Sequence, residues 1–556
     1  MRQPQGIALV VTLAILVAVA LMAFATSVTT MVSQWSARNE RGATEAYYVA
    51  ETGLQQWKTR LFQTYRWQLY QTVSNFSGSR TPTRSECGNV LAGGVDWNRN
   101  GTIESNETLP TTRTGSVPMG TGTGTYTITV AQDPTRPRFM LVRSVGRFNG
   151  SQAIAQATFD LSNTGPWNYA IFSGRGAANK HLNGGATIRG GLYVQGQSSD
   201  PDRSVIDSNG NFALYNDYNY TSDNVFGSRL NSDMRSLANL CATLRVQYGR
   251  VEVSGSSSYG TPSNPLLGAY VGDAANDIYG NTSSVCASNR GICTDDRGAF
   301  DLPPALAPRF PEFNSTPCTT NPNRTWAACV RDEAAERGIR ITSTSILFPL
   351  GALPVNPLSC VTGNVLSGGT LRFGNTSMDC RYTLNGRTGG FRYIAGNPGT
   401  LEIYGTLHTS GINVSFDNAV NYQAFDFTNP TERNASIFVE GGSITLNRDV
   451  LPDASSATFP NQVLGLLAQN NIEQLTNNAM GIFYAGGRFR TQRNQRTLGT
   501  VVTNEFCTTS AGGNQCNAGQ QAEVTYVPTM GNIPVAAQIP EDTIIASFKI
   551  MSYERR

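Results

Sequence analysis

The sequence predicts an α+β protein: a long N-terminal transmembrane helix packed on a small antiparallel sheet, with a large all-β domain attached. Three observations carry this. The segment Ile7 to Ala25 holds no charge and a single polar residue, Thr12. Apolar alternation recurs at Thr125 to Val130, Phe139 to Val145 and Ala153 to Leu161, broken by Pro134, Pro137 and an Asn149-Gly150 turn, as in antiparallel strands. Beyond about residue 166, short strand-like pieces end repeatedly in glycine or asparagine, in a chain of 556 residues that has 56 glycines and only 15% charged residues.

The helix is expected from Ile7 to about Tyr70. Helix-like sequence continues past Ala25 through Met31, Trp35, Ala43, Tyr47, Ala50, Leu54, Trp57 and Leu61, mostly three or four apart and so on one face. No proline interrupts between Pro4 and Pro82. Arg38, Arg41, Glu45 and Glu51 fall off that stripe, and Trp35, Tyr47, Trp57 and Trp67 read as packing residues. Two processing schemes compete. A secretory signal would be cut near Ala23-Phe24-Ala25. A prepilin signal would be cut between Gly6 and Ile7, leaving the apolar stretch on the mature chain. The unbroken helix favours the second.

Gln5-Gly6-Ile7-Ala8-Leu9-Val10-Val11, followed by Ala46-Tyr47-Tyr48-Val49-Ala50-Glu51-Thr52-Gly53-Leu54, resembles the minor pilins of the PilX and K-type pseudopilin group over about the first seventy residues. The resemblance implies cleavage by prepilin peptidase after Gly6, methylation of Ile7, and partnership with other major and minor pilins. It places the chain in the inner membrane before assembly, then in a pilus spanning the periplasm to the cell surface. Most pilins have glutamate at the fifth mature position, where it meets the N-terminal amine of a neighbour; this chain has Val11. A buried carboxylate with no amine to meet costs desolvation, so valine fits a subunit at the tip.

Ten cysteines occur, none of them in the membrane segment or the long helix. Four close pairs stand out: Cys286 with Cys293, Cys318 with Cys329, Cys360 with Cys380, and Cys507 with Cys516, which leaves Cys87 and Cys241 for each other. Metal ligation is the alternative, but no C-x-x-C knuckle or nearby histidine supports it.

Within a polar stretch from Asn75 to Arg113, residues 96 to 107 satisfy the twelve-residue calcium loop pattern D-x-[DN]-x-[DN]-G-x5-E. Asp96, Asn98 and Asn100 would supply side-chain oxygens, Thr102 its carbonyl, Glu104 a water-mediated contact and Glu107 two oxygens, binding Ca2+. No amphipathic helices flank the loop, and an ordinary Asn-Gly surface turn would show similar residues.

The remaining four hundred residues read as an irregular repeat. Ala186 to Gly196, Gly399 to His408 and Ala435 to Leu446 have the short strands and frequent turns of a β-solenoid, with a sandwich or jelly roll as the alternative. Two short helices are expected, near Ser228 to Tyr248 and Thr325 to Arg337. The expected organisation is a leader (1–6), the transmembrane part of the helix (7–30), a pilin-like domain (31–165), a β-solenoid-like extracellular domain (166–540) and a C-terminal segment (541–556) whose strand returns to the first sheet. That layout is similar to large competence minor pilins with an inserted β-solenoid.

Enzyme chemistry finds little support. His181 and His408 are isolated, lysine occurs only at 58, 180 and 549, and no nucleophile elbow, phosphate loop or metal triad is present. The sharper signal is arginine, which outnumbers lysine 39 to 3. It interleaves with aromatics at Arg372, Phe373, Arg381, Tyr382, Arg387, Phe391, Arg392 and Tyr393, and again at Phe483, Tyr484, Arg488, Phe489, Arg490, Arg493 and Arg496. Guanidinium groups bind phosphates and rings such as Tyr393 and Phe489 stack on bases, which suits capture of extracellular double-stranded DNA. The net charge of +3 restricts such a site to a local patch. The expected function is therefore a tip pilin that captures DNA for natural transformation. Its alternatives are an adhesin for surfaces or glycans and a structural initiator of assembly.

Overall fold

The computed structural model describes residues 5–76, 93–120, 122–132, 139–160, 165–174, 182–183, 185–208, 211–280, 286, 291–294, 299–302, 308–318, 321, 323–361, 365–429, 433–456, 459–509, 521–527 and 549–555. The chain divides into two compact units, one of residues 1–65, 91–160 and 550–556, the other of residues 66–90 and 161–549.

In the first unit, helix α1 runs from Gln5 to Phe76 without a break. It is long and apolar enough to cross a membrane. From Leu9 to Phe24 its large side chains are more than half exposed. Burial starts at Ala46 and continues through Val49, Ala50, Leu54, Trp57, Leu61 and Thr64, a stripe of helical period. Met31 and Trp35, expected on this stripe, are instead 62% and 70% exposed, because the sheet reaches only the later turns. The side chain of Trp67 lies outside the described residues.

The sheet consists of β1 (Thr111–Met119), β2 (Gly122–Gln132), β3 (Phe139–Phe148) and β4 (Ser151–Asp160), paired antiparallel in that order. Its inner face is Tyr126, Ile128 and Val130, then Met140 and Val142, then Ala155, Ala157 and Phe159. Gly146 sets how closely α1 approaches, since a Cβ there would lie 2.3 Å from the Ala46 carbonyl oxygen. The Tyr126 hydroxyl donates to Gln56 at 2.7 Å, tying helix to sheet. The hairpin between β3 and β4 turns at Asn149 and Gly150, both at positive φ, as a two-residue turn of that composition requires. Strand β1 was not expected. Its sequence carries few apolar residues, and an edge strand needs only one ladder and tolerates Pro118. The terminal strand Lys549–Arg555 lies next to β4, so the second unit is an insertion between two neighbouring strands. Pro134 and Pro137 lie outside the described residues.

The second unit is all-β apart from short helices, and its strands stack in parallel register, coil on coil. Each coil has three sides. Leu407 pairs with Ile437 and Ile437 with Leu466 on one side. Leu401 pairs with Tyr422 on the second, and Val414 with Ile444 and Ile444 with Ile472 on the third. Strand Asn478–Gln492 bends round all three sides with glycines at the corners. At the first corner Gly499 pairs with Gly481, both at positive φ; a Cβ on Gly499 would lie 1.8 Å from the Gly481 carbonyl oxygen.

The order of the coils is not the order of the chain. The stack begins near its middle with Ile171–Ser173 and grows in one direction to Ala299–Asp301. Residues 308–318 and 323–338 then cross the outside, and the chain resumes at Ile339–Thr342, returning coil by coil until Val501 pairs with Ile171 and Glu523 with Thr187.

In-register stacking aligns one outward column: Arg340, His408, Phe438, Leu467, Tyr484, Val502, Phe172, Tyr193, Arg245 and Tyr270. The crossing segment covers its middle. The Tyr193 hydroxyl donates to the Pro308 carbonyl and the Tyr484 hydroxyl to the Pro311 carbonyl, each at 2.6 Å. Phe313 packs within 4.7 Å of the Phe438, Tyr484 and Trp326 rings. Covered on both faces, strand Gln462–Ala468 is buried throughout instead of alternating.

Helix α2 (Trp326–Arg337) ends the crossing, capped by Thr325, whose hydroxyl accepts from the Ala328 N–H. The helix expected near Ser228 to Tyr248 is absent. That stretch forms a 3-10 turn at Ser232–Met234 and the strands Ser236–Leu237 and Thr243–Val246. The Asn216 side-chain oxygen accepts from the Leu240 and Ala242 N–H groups, and the ladder to Leu192–Val194 outcompetes the local helical pattern.

Burial pushes the Glu333 carboxyl on α2 up to about 7, and its Oε2 has no hydrogen-bond partner. Folding therefore favours the protonated acid. The associated stability is complete below the ordinary value of 4.5 and is lost as pH rises to about 7. Glu333→Gln is expected to flatten the fall in Tm between those limits, which thermal unfolding across a pH series will read.

Candidate functional site

Gly6 and Ile7 lie in the first turns of α1, which starts at Gln5. The calcium-type loop is closed on itself. The Val95 N–H donates to the Glu107 carbonyl at 2.9 Å, and Arg99 and Gly101 take positive φ. Asp96 accepts from the N–H groups of Asn100 and Gly101, at 3.2 and 2.8 Å. Glu107 accepts from those of Trp97 and Glu104, at 2.9 and 3.2 Å. The side-chain oxygens of Asn98 and Asn100 accept from the N–H groups of Asn100 and Thr102. Asp96 and Glu107 are buried, while Glu104 is exposed and accepts from the amide nitrogens of Asn98 and Asn100. Trp97 anchors the loop against Trp57 of α1 with ring centroids 5.0 Å apart.

Among the described residues no three His, Cys, Asp or Glu side chains converge as a metal cluster. A cation here would be shared between two carboxylates, side-chain amides and a backbone carbonyl. That all-oxygen set fits a hard ion.

The arginines are largely paired. Arg372 meets Asp417 at 2.9 Å, and Arg381 binds both oxygens of Asp379 at 2.8 Å, which pushes the guanidinium pKa up. Arg392 lies 3.8 Å from Glu402. In the second group Arg488 meets Glu505 at 2.8 Å and Arg490 meets Glu473 at 2.9 Å, each pair directly opposite across the ladder. Arg496 bridges Asp223 at 2.7 Å and Glu523 at 3.4 Å and stacks on Phe226. Arg387 and Arg493 are exposed beside the positive-φ residues Asn385 and Asn494. Two expected stacking rings are not available to bases. Phe489 is buried between Phe483 and Phe506, and Tyr393 is buried with its hydroxyl donating to the Gly374 carbonyl. On strands that face a core, an aromatic between arginines points inward.

His408, isolated in the sequence, is buried and hydrogen-bonded through Nε2 to Glu440 at 3.0 Å, which holds the Glu440 carboxyl below its ordinary value. Disulfides join Cys286 with Cys293, Cys318 with Cys329 and Cys360 with Cys380. Cys241 and Cys507 are also disulfide-bonded, while Cys87 and Cys516 lie outside the described residues.

Sequence reasoning missed a polar cleft of about 960 Å³ along stacked turns, lined by Asn397, Asp417, Asn418, Asn447, Asp449 and Asn477 among others. Only the regular spacing of Asp417-Asn418, Asn447-Arg448-Asp449 and Asn477 marks it in the sequence.

Arg496→Ala is expected to destabilise the second unit by about 1–3 kcal/mol through loss of two carboxylate partners and a ring contact. Arg493→Ala is expected to change stability by less than about 0.5 kcal/mol, as at an ordinary exposed site. Denaturant unfolding will compare them.

The PilX N-terminal family model matches residues 5–55. No curated protein matches the chain significantly. Among solved structures, the competence-associated pilin ComZ from Thermus thermophilus is similar at 36% sequence identity and a TM-score of 0.66. The likeness covers 93% of this chain and 97% of that one, and so spans the long helix, the small sheet and the inserted β domain together. This chain belongs to the type IV minor pilins, in the group that includes ComZ.

Proposed function

We propose that this chain is a non-enzymatic minor pilin at or near the tip of a transformation pilus, and that its large domain, a β-solenoid, engages extracellular double-stranded DNA. The observation that carries this reading is the full-length likeness to a competence-associated pilin, inserted domain included. Processing after Gly6 by prepilin peptidase and methylation of Ile7 belong to the same reading, as does passage from the inner membrane into a pilus with other pilins. The long parallel ladders support the solenoid, and Val11 supports the tip position.

Because most of the clustered arginines already hold carboxylates, Arg387 and Arg493 are the positions best placed to meet phosphate first. Arg372, Arg392 and Arg488 are partly exposed but hold carboxylates. In titrations of duplex DNA with the detergent-solubilised full chain, affinity is expected to fall about tenfold or more between roughly 50 and 200 mM salt. The double variant Arg387→Ala with Arg493→Ala is expected to weaken binding several-fold. Absence of binding at low salt would remove DNA capture and leave the adhesin or the assembly initiator. The asparagine-lined cleft supports the adhesin reading, since amides and carboxylates pair with sugar hydroxyls.

We further propose that Asp96, Asn98, Asn100, Thr102, Glu104 and Glu107 hold Ca2+, which would fix this loop against α1. Saturating calcium is expected to raise Tm by a few degrees, chelator to reverse the rise, and Glu107→Gln to abolish it. A Tm indifferent to calcium in the unaltered chain would refute the site.

A further inference from the structure

One end of the β stack is finished in an unusual way. Residues 341 to 371 carry no charged side chain, in a chain with 15% charged residues. Antiparallel strands close the stack there. Ile346–Leu347 lies beside Ile339–Thr342, Leu366–Ser367 beside Thr370–Phe373, and Leu353–Pro354 beside Tyr382–Leu384. The cap is held by the Cys360–Cys380 disulfide and by the Val355 N–H donating to the Arg381 carbonyl at 2.8 Å.

Stacked-coil proteins normally present a polar outer face at their caps. This cap presents aliphatic tips: Leu350 is 100% exposed, Leu358 82% and Leu353 72%, with Val355 and Val361 about half exposed. Arginine borders them. From Arg340 to Ile394 there are five arginines (340, 372, 381, 387 and 392) and one acid, Asp379. Arg372 is paired with Asp417, and Arg381 and Arg392 lie beside Glu402, so Arg387, exposed and without a carboxylate partner among the described residues, is the cation that faces solvent. The exposed Arg387 ends the hairpin whose other strand bears Leu384, and Leu384 reaches to within 3.8 Å of where a Cβ on Gly351 would stand.

We propose that this cap docks on an anionic phospholipid bilayer, with Leu350, Leu353 and Leu358 entering the acyl region and Arg387 remaining among the headgroups. Part of the backbone is already satisfied for such a solvent. Pro349, Pro354 and Pro357 have no N–H to desolvate, and the N–H groups of Ala352, Val355 and Ser359 are bonded within the protein. A protein partner would call for a hydrogen-bonding rim around a packed apolar centre. Highly exposed leucines in a stretch without charge, bordered by the exposed Arg387, match the requirements of an anionic lipid surface.

The test uses the full chain held by α1 in phosphatidylcholine nanodiscs, mixed with vesicles of phosphatidylcholine alone or with phosphatidylglycerol. Co-flotation is expected with the anionic vesicles, reduced at least tenfold by Leu350→Asp with Leu358→Asp and to a lesser degree by Arg387→Gln. Thermal unfolding of the aspartate pair should match the unaltered chain. A second variant, Leu350→Trp, keeps the apolar tip, and its added emission should be quenched by brominated acyl chains in the anionic vesicles. Three results would overturn the proposal: no co-flotation, co-flotation unaffected by the aspartate pair, or leucine-dependent self-association in sedimentation without vesicle binding. Duplex DNA titrated on the same preparations reports separately on the transformation reading, since the aspartate pair leaves every arginine in place.

Discussion

Val501 pairs with Ile171 across 330 residues of sequence, and the architecture of the large unit follows from that ladder. A stack that grew in simple chain order would leave its first and last coils at opposite ends. Here the first and last coils are adjacent, so a chain that leaves the small sheet after β4 returns beside β4 as the terminal strand. The join is reinforced from outside. The Tyr220 hydroxyl donates to Glu523 at 2.8 Å, Arg496 bridges Asp223 and Glu523, and Arg229 donates to the Pro452 carbonyl. Loops from coils on one side thus strap coils on the other, replacing covalent continuity with buried and half-buried contacts.

The same ladders govern the electrostatics. Parallel, in-register stacking sets each side chain directly beside its counterpart one coil away, so like charges in a column repel and alternating charges attract. Glu473 opposite Arg490 and Arg488 opposite Glu505 are the result. These pairs are half-buried, so salt screens them less than it would screen fully exposed ones. They lower the field that an anionic polymer would feel along those strands, whereas Arg387 and Arg493, beside turns, are exposed and pair with no carboxylate among the described residues.

The helix shows a complementary logic. Its first turns are apolar on all sides, and their large side chains from Leu9 to Phe24 are exposed, as suits residues whose solvent is lipid or neighbouring subunits. Its second half presents small residues to the sheet, Ala46 and Ala50 against Gly146 and Gly53 against Tyr126 and Ser144. Close approach of two backbones there buries Leu54, Trp57 and Leu61 without a large core.

Much was legible in the sequence because it depends on neighbouring residues alone. The long helix needs only helical propensity and absence of proline, the β3–β4 hairpin only Asn149-Gly150, and the cap of α2 only Thr325. The candidate loop at 96–107 is written within twelve consecutive residues. What the tertiary structure alone decided involves partners far apart in the chain. Strand β1 exists because β2 offers it an edge, and Thr243–Val246 is extended because Leu192–Val194 lies alongside. Arg372 is neutralised by Asp417, 45 residues away. Phe489 and Tyr393 turn inward because a strand has two faces and the core claimed one. The physical reason is common to all of these: helices and turns are specified by local backbone preferences, whereas a stacked β coil takes its register, its buried face and its charge balance from a neighbour that sequence order does not identify.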